Sequence, residues 1–234
     1  MTNTIHSALL ERKGERVALF ITKGFQDLLT IGNQTRPRLF DLSVRKLSLL
    51  FEIVFEVDER VTIEGFSEDP EPQPIDMTTD RSLVEGLTGE PLRILKKPDY
   101  EAVRRDLQRA WKLGYRSLAV ALMHSFLYPQ HELAIGQMAE AMGFKVALSS
   151  QLQPMIKLVP RAQSATADAY LSPIITHSLE NFRKGFKGEL RNEHSEKLLM
   201  CQSDGGLTPF GTLTGLRAIL SGRCLASTSP GYDC

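Results

Sequence analysis

The chain has 234 residues, of which 42% are hydrophobic and 24% are charged, a composition typical of a globular protein. Because 28 basic side chains balance 28 acidic ones, no net charge attracts nucleic acid or an anionic membrane. The 3 cysteines are too few and too irregularly spaced for a disulfide framework or a tetrahedral zinc site.

The N-terminal segment does not resemble a secretory signal, because it lacks an apolar core next to a basic start. No run approaches the roughly 20 apolar residues that span a bilayer. We therefore expect an intracellular, cytoplasmic protein without a membrane partner. His124 and His131 have no Cys or carboxylate at ligand spacing, so they are interpreted as packing or surface groups and no protein metal site is predicted.

The first part of the chain is predicted to combine short strands with an ordered loop. The β-rich run Val17–Thr22 ends at a Lys-Gly turn. Residues 24–42 mix Gly, Asn and Pro with apolar anchors, which is typical of a loop that contacts ligands. Residues 53–63 alternate as one half-buried strand, and the Pro- and acid-rich residues 67–80 form a surface excursion.

From Asp99 onward, helices and strands alternate. Asp99 caps a helix with an apolar stripe that stops at Gly114, and residues 117–123 follow as an almost continuous apolar strand. A second helix over residues 129–143 and a strand over residues 145–150 repeat the unit. This alternation predicts an α/β layer with parallel strands covered on both faces.

The C-terminal part is predicted to return to the sheet. A long helix covers residues 164–186, with Pro173 near its start or at a kink. Residues 198–201 form a buried strand that leads into the turn Ser-Asp-Gly-Gly at 203–206, and residues 214–220 are helical. The turn should therefore lie outside the carboxyl end of a strand, where open α/β sheets bind ligands.

Two interpretations of this turn remain open. Backbone N–H groups at Gly205 and Gly206 are able to approach a phosphate, Asp204 offers oxygens to a Mg²⁺-bound water, and Ser203 offers a hydroxyl donor. A plain tight turn is the alternative, since Asp-Gly turns are common. Arg161 has similar alternatives, an anion contact or an ion pair with a nearby acid. Walker, dinucleotide and nucleophile-elbow motifs do not occur in the sequence.

Several motifs together resemble the hydantoinase/oxoprolinase family, and within it the ATP-dependent 5-oxoprolinase branch of eukaryotic type. The resemblance runs in order through residues 7–222. Its motifs are SALLERKG (7–14), TKGFQDLLTIGNQTRPRLFDL (22–42), LMHSFLYPQHE (122–132), VPRAQSATADAYLSP (159–173) and SDGGL (203–207).

The resemblance implies part of the ribonuclease H-like nucleotide-binding fold shared by actin and sugar kinases, an α/β fold with parallel or mixed sheets between helices. It implies an N-terminal-type region at 1–95 without its first phosphate loop, the start of a hydantoinase A-type domain at 96–222, and a divergent tail at 223–234. It also implies ATP and Mg²⁺ as cofactors and 5-oxo-L-proline as the small-molecule substrate, hydrolysed to L-glutamate in glutathione metabolism. The full-length enzyme would add a hydantoinase B part and a homodimer contact.

Binding residues are carried over motif by motif. The family's Thr-x-Gly-Phe-x-Asp segment, its Arg-Pro stretch, its arginine at the head of the long helix and its glycine turn all have counterparts here. The resemblance implies a nucleotide- or substrate-binding set with no catalytic residue assigned, namely Thr22, Gly24, Asp27, Arg36, Arg161, Ser203, Asp204, Gly205 and Gly206.

The chain departs from the family pattern in three places. No glycine- and threonine-rich phosphate loop precedes the first motif, Ser7 stands where the family has Asn, and the tail replaces a Pro-Ala-Gly-Gly loop. Because two opposed phosphate loops hold the nucleotide in this fold, we expect a fragment with little ATP hydrolysis of its own. The alternatives are a non-catalytic truncated remnant or binding module, and a hydantoin or other cyclic amide as substrate.

Overall fold

A computed structural model describes residues 8–32, 48–65, 75, 77, 80, 82–185, 199–209 and 212–218. The sequence predictions that concern Ser7, Arg36, most of the excursion at 67–80 and the tail at 223–234 lie outside these residues. The chain divides into two compact units, a larger one at Val17–Thr166 and a smaller one formed by Met1–Arg16 and Ala167–Cys234.

The described part of the chain contains both strands and helices. In chain order they are β1 (Val17–Thr22), α1 (Leu28–Ile31), β2 (Phe51–Val57), β3 (Arg60–Ile63), β4 (Leu83–Glu85), β5 (Pro91–Lys96), α2 (Tyr100–Lys112), β6 (Ser117–Ala121), α3 (Gln130–Ala141), β7 (Lys145–Leu148), α4 (Ser149–Leu152), α5 (Leu158–Lys184), β8 (Leu199–Cys201), β9 (Leu207–Pro209) and α6 (Gly215–Ala218).

A four-stranded parallel sheet with the order β2-β1-β6-β7 forms the centre of the larger unit. All 6 residues of β1 and all 5 of β6 are buried. Both faces of these two central strands are therefore covered, which explains why neither strand alternates between polar and apolar residues. The predicted α/β class, with parallel strands flanked by helices, is confirmed.

One hydrophobic cluster joins the parallel sheet to helices α2 and α3. Phe20 of β1, Leu118 of β6, Leu107 of α2 and Ile135 of α3 all belong to it, and none is more than 1% exposed. Each such side chain contributes about 1.5–3 kcal/mol by leaving water. The Asp99 carboxylate accepts hydrogen bonds from two N–H groups in the first turn of α2, so the predicted cap is confirmed.

The single strand predicted over residues 53–63 is wrong. The segment contains two strands, β2 in the parallel sheet and β3 in a three-stranded antiparallel sheet with the order β3-β5-β4. Between them, the Glu59 side chain turns inward and is only 3% exposed. The chain therefore leaves one sheet and enters another at this residue. Val61 then packs with Leu92 and Leu127 in a small separate core.

Two further boundaries differ from the predictions. The strand predicted to reach residue 150 ends at Leu148, where α4 begins. Helix α5 begins at Leu158 instead of residue 164, and Pro160 lies in its first turn. Proline is tolerated there because first-turn N–H groups have no intrahelical acceptor. Arg161 consequently lies within the helix, not in a connection before it.

The smaller unit contains a β-hairpin where a buried sheet strand was expected. Strand β8 pairs only antiparallel with β9, in a two-stranded sheet, as far as the described residues extend. Leu199 is 51% exposed, and Cys201 is half-buried. The prediction of a buried strand was therefore wrong, because the turn that follows folds the chain back onto its own strand.

No helix in the described portion of the chain combines the length and the apolar character needed to cross a membrane.

Candidate functional site

Strand order places a candidate site at the carboxyl ends of the parallel strands. From β1, the chain first adds β2 on one side and later adds β6 and β7 on the other side. The strand order therefore reverses between β1 and β6. Open α/β sheets bind ligands at such a switch point. We call this surface the carboxyl edge and define it by Thr22, Lys23, Gly24, Asp58, Glu59, Leu122, Met123, His124, Ser149 and Ser150.

A buried hydrogen-bonded chain, the Thr22–Glu59–His131 relay, crosses the carboxyl edge. The Thr22 hydroxyl accepts the Met123 N–H at 2.9 Å and donates to Glu59 Oε1 at 2.5 Å. Glu59 Oε2 lies 3.1 Å from His131 Nδ1. A carboxylate in this environment requires such partners because it has little access to water. The relay thus connects the ends of β1 and β2 to the residues after β6 and to α3.

A second buried group, the Glu132–Arg161 clamp, connects the residues after β6 and β7. Glu132 Oε1 accepts the Leu122 N–H at 2.8 Å and the Ser149 hydroxyl at 2.7 Å. Its Oε2 accepts the N–H and the hydroxyl of Ser150 at 3.0 and 2.7 Å. The Arg161 guanidinium lies 3.6 Å from this carboxylate, and both side chains have 0% exposure.

Arg161 directs its donors into the protein. Its Nη2 donates to the carbonyl oxygens of Leu122 and Met123 at 2.8 and 2.9 Å, and its Nη1 donates to the Ser149 hydroxyl at 2.9 Å and to the Ser125 hydroxyl. Burial lowers the pKa of the Arg161 guanidinium, whereas the negative charge of Glu132 acts in the opposite direction. The ion pair considered from the sequence is present, and a ligand contact of Arg161 stays a prediction.

His124 differs from Glu59 and Glu132 in that one of its ring nitrogens makes no hydrogen bond to the described residues. Its Nδ1 is buried and has no hydrogen-bond partner among the described residues. Burial lowers the pKa of the His124 imidazole, and the nearby positive charge of Arg161 lowers that pKa further. A neutral imidazole is able to donate or to accept a hydrogen bond with a neutral ligand group.

The predicted loop residues after β1 lie in different environments. Gly24 has φ +90°, which a residue with a Cβ rarely adopts, and its N–H donates to Glu56 Oε1 at 2.7 Å. Asp27 is exposed and makes no side-chain cap for the short helix after it. Thr22 and Arg161 both bind the backbone of Met123, so the structure brings these two predicted residues to the same strand end.

The predicted Ser-Asp-Gly-Gly turn connects β8 to β9 in the smaller unit. Gly206 N–H donates to Asp204 Oδ1 at 2.9 Å, and Gly205 has φ +83°. The N–H groups of Ser203 and Gly205 also donate to carbonyl oxygens of the same unit, at 2.6 and 3.1 Å. These three N–H groups thus have protein acceptors, and phosphate binding by the turn stays a prediction.

The residues that hold the carboxyl edge together were missed in the sequence. Glu59 was placed within an alternating strand, and His131 was interpreted as a packing or surface group. Glu132 carried a detectable signal, because it shares the buried face of α3 with Ile135 and Ala139, three and seven positions further on. A carboxylate on an apolar stripe indicates a buried polar partner.

Comparison with known proteins identifies the family. The chain matches the family description "Hydantoinase/oxoprolinase N-terminal region" over residues 1–143 and "Hydantoinase/oxoprolinase" over residues 161–224. The chain therefore belongs to the hydantoinase/oxoprolinase family, and the resemblance inferred from its motifs is confirmed.

Named relatives extend over nearly the whole chain. It is 44% identical to a 5-oxoprolinase of Saccharomyces cerevisiae, over 99% of this chain and 18% of that protein. It is 46% identical to 5-oxoprolinase 1 of Arabidopsis thaliana, over 94% of this chain and 17% of that protein. The chain thus spans less than a fifth of the length of these curated relatives.

A solved structure supports the fold. The ATP-dependent caprolactamase from Pseudomonas jessenii matches with a TM-score of 0.69 and 21% identity, over 98% of this chain and 31% of the caprolactamase chain. At this identity the match concerns the fold alone, and it agrees with the α/β class described above.

Proposed function

We propose that this chain is part of an ATP-dependent enzyme that opens a cyclic amide, with 5-oxo-L-proline as the substrate and L-glutamate as the product. One observation carries the proposal: two of the family motif segments, 22–42 and 122–132, meet at the switch point through the Thr22–Met123 hydrogen bond. The names of the yeast and plant relatives support the choice of 5-oxo-L-proline.

The carboxyl edge fits a polar, uncharged ligand group better than the phosphates of ATP. Side-chain oxygens already accept the N–H groups of Gly24, Leu122, Met123 and Ser150. Three of these four N–H groups are bound by carboxylates, which repel a triphosphate. We therefore assign the edge to the lactam side of the reaction and derive no step through ATP or Mg²⁺ from its residues.

Within this proposal, His124 binds the substrate. A lactam amide has both an N–H donor and a carbonyl acceptor, and a neutral imidazole offers one group of each kind. Burial and the charge of Arg161 lower the pKa of His124, which favours the neutral ring. Arg161 of the Glu132–Arg161 clamp binds the carbonyls of Leu122 and Met123, the two residues just before His124, so the imidazole has a defined position.

Turnover by an extended chain tests the proposal. ADP release and glutamate formation that depend on 5-oxo-L-proline are measured for this chain and for one extended at both ends to the length of the relatives. We expect turnover in the extended chain and little in this one. Absence of turnover in the extended chain overturns the proposal, and faster turnover with hydantoin supports the alternative cyclic-amide substrate.

A matched pair of variants tests the role of His124. In the extended chain, His124→Ala is expected to raise the KM for 5-oxo-L-proline about tenfold, as the loss of one buried hydrogen bond implies. His177→Ala removes an exposed histidine from helix α5 and should leave the KM unchanged. Equal KM values for the two variants contradict substrate binding by His124.

A non-catalytic binding module is the second candidate. The N–H groups at the carboxyl edge and in the turn at 203–206 favour it, because those that donate to protein acceptors are not free to bind a phosphate. Calorimetric titration of this chain with MgATP separates the candidates. Clear binding contradicts a pure scaffold, and binding lost in Gly205→Val would support the family assignment of Ser203, Asp204, Gly205 and Gly206.

Further proposals follow from the family resemblance alone. We propose a division into 1–95, 96–222 and 223–234, a cytoplasmic location, and a full-length enzyme that contains a hydantoinase B part and pairs with a second copy. Thr22, Gly24, Asp27 and Arg36 are proposed to bind the nucleotide or the substrate in that enzyme.

A further inference from the structure

We infer that two adjacent residues, His131 and Glu132, are positioning residues that together hold the ends of all four parallel strands at the carboxyl edge. This inference rests on the proposed function, in which that edge faces the substrate. Both residues lie in the first turn of α3 and are nearly fully buried, at 5% and 0% exposure.

Glu132 holds the ends of β6 and β7. Its two carboxylate oxygens accept four hydrogen bonds, from the Leu122 N–H, the Ser149 hydroxyl, and the N–H and hydroxyl of Ser150. Leu122 directly follows β6, and Ser149 directly follows β7. A single side chain therefore bridges these two strand ends.

His131 holds the ends of β1 and β2. Because a carboxylate only accepts hydrogen bonds, the 3.1 Å contact assigns the proton to His131 Nδ1, which donates to Glu59. Glu59 follows β2 and also binds the hydroxyl of Thr22, the last residue of β1. The same hydroxyl accepts the Met123 N–H, so the relay continues to the residues after β6.

Helix geometry explains how two neighbours serve four strands. Consecutive residues of an α-helix point about 100° apart, so His131 and Glu132 diverge toward different strand ends from one turn. Ile135 and Ala139, further along α3, are 0% exposed in the core shared with the sheet. The helix is thus fixed to the sheet, so the side chains of its first turn hold the residues of the carboxyl edge in defined positions.

The protonated nitrogen of His131 provides a discriminating pair of variants. The amide nitrogen of Asn occupies nearly the place of Nδ1, whereas that of Gln reaches nearer to Nε2. His131→Asn should therefore keep the donor to Glu59, and His131→Gln should lose it. His177→Asn and His177→Gln, at an exposed position, are the matched controls.

Hydrogen exchange of the Met123 amide, measured by NMR on the whole 234-residue chain, tests the relay directly. We expect His131→Gln to accelerate this exchange about tenfold relative to wild type, and His131→Asn to stay within about threefold, as for loss or retention of one buried hydrogen bond. Thr22→Val, which removes the acceptor itself, sets the upper limit. Equal exchange in the Asn and Gln variants overturns the positioning role of His131.

Activity of the extended chain provides the second measurement. His131→Gln should lower kcat/KM for 5-oxo-L-proline about tenfold, and His131→Asn should restore most of it. Activity that is equal in the two variants while the Met123 exchange differs overturns the link between positioning and catalysis. Lack of turnover in the wild-type extended chain contradicts the proposed function instead, and the exchange measurement then decides the relay by itself.

Discussion

Replacing Arg161 by methionine should destabilise the larger unit more than any exposed substitution does. Methionine has a similar length, so it fills most of the volume, but it donates no hydrogen bonds. The change removes four donated hydrogen bonds, two to the carbonyls of Leu122 and Met123 and two to the hydroxyls of Ser125 and Ser149. It also leaves Glu132 as a buried carboxylate without its cation.

The expected loss follows from these contacts. Breaking a buried ion pair by removing one partner costs about 3–5 kcal/mol, and each orphaned buried acceptor contributes about 1–3 kcal/mol of that effect. The Ser125 and Ser149 hydroxyls keep the hydrogen bonds that they donate to the Leu122 carbonyl and to Glu132, so we expect a total loss of about 4 kcal/mol. This loss is a large part of the free energy of unfolding of a typical domain, which is about 5–15 kcal/mol.

Urea unfolding followed by tryptophan fluorescence measures this loss. The chain contains a single tryptophan, Trp111, which packs against the core of the larger unit and meets the Phe144 ring edge-on at 5.0 Å. With a urea dependence of about 2 kcal/mol per molar, a loss of about 4 kcal/mol moves the midpoint down by about 2 M.

Two further variants complete the experiment. Arg105→Met, on the exposed face of α2, should change the stability by less than about 0.5 kcal/mol. Combining Arg161→Met with Glu132→Gln removes the unpaired charge, so the double variant should recover about 1–2 kcal/mol relative to additivity. An Arg161→Met midpoint within about 0.5 M of wild type, at unchanged slope, would refute the clamp as a stabilising element.

Three other predictions concern stability. Asp99→Ala should cost about 1 kcal/mol in urea unfolding, because it removes the cap of α2, and an unchanged midpoint would contradict that role. Hydrogen bonds from Ser82 and Arg93, together with the charge of Arg93, lower the pKa of Asp80 from 3.8 to about 2. The ionised Asp80 carboxylate should thus stabilise the fold fully above pH about 3.8, and this effect should disappear as the pH falls through about 2. In Asp80→Asn, the thermal unfolding midpoint should therefore depend less on pH between these two values than in wild type. Gly143→Ala should lower the free energy of unfolding by about 1 kcal/mol, because φ is +93° at this position. A stabilised variant would show that the end of α3 does not require this backbone conformation.

Local signals explain the elements that were predicted well. Asp99 is followed by the helical period of α2, and its cap depends on N–H groups only two and three residues away. Strands β1 and β6 are continuous apolar runs, a pattern that follows from burial on both faces. Such features depend on near neighbours, so the sequence contains them.

Features that depend on distant partners were missed or misplaced. The break at Glu59 was invisible because Glu56, Asp58 and Glu59 all fall within a run whose pattern is compatible with one half-buried strand. The run at Leu199–Cys201 is apolar like a sheet strand, yet it pairs with the strand immediately after it. Which partner a short apolar strand takes depends on the whole topology and not on its own residues.

The sequence by itself determined the α/β class, the family, and the helices and strands whose periods and caps are local. The tertiary structure alone decided the carboxyl edge. Thr22 meets Glu59 across 37 positions and Met123 across 101, and Glu59 meets His131 across 72. A buried charge is stable only where partners satisfy it, and those partners come together only after the parallel strands are ordered in space. The most polar part of the larger unit's interior is therefore a property of the strand order rather than of any single segment.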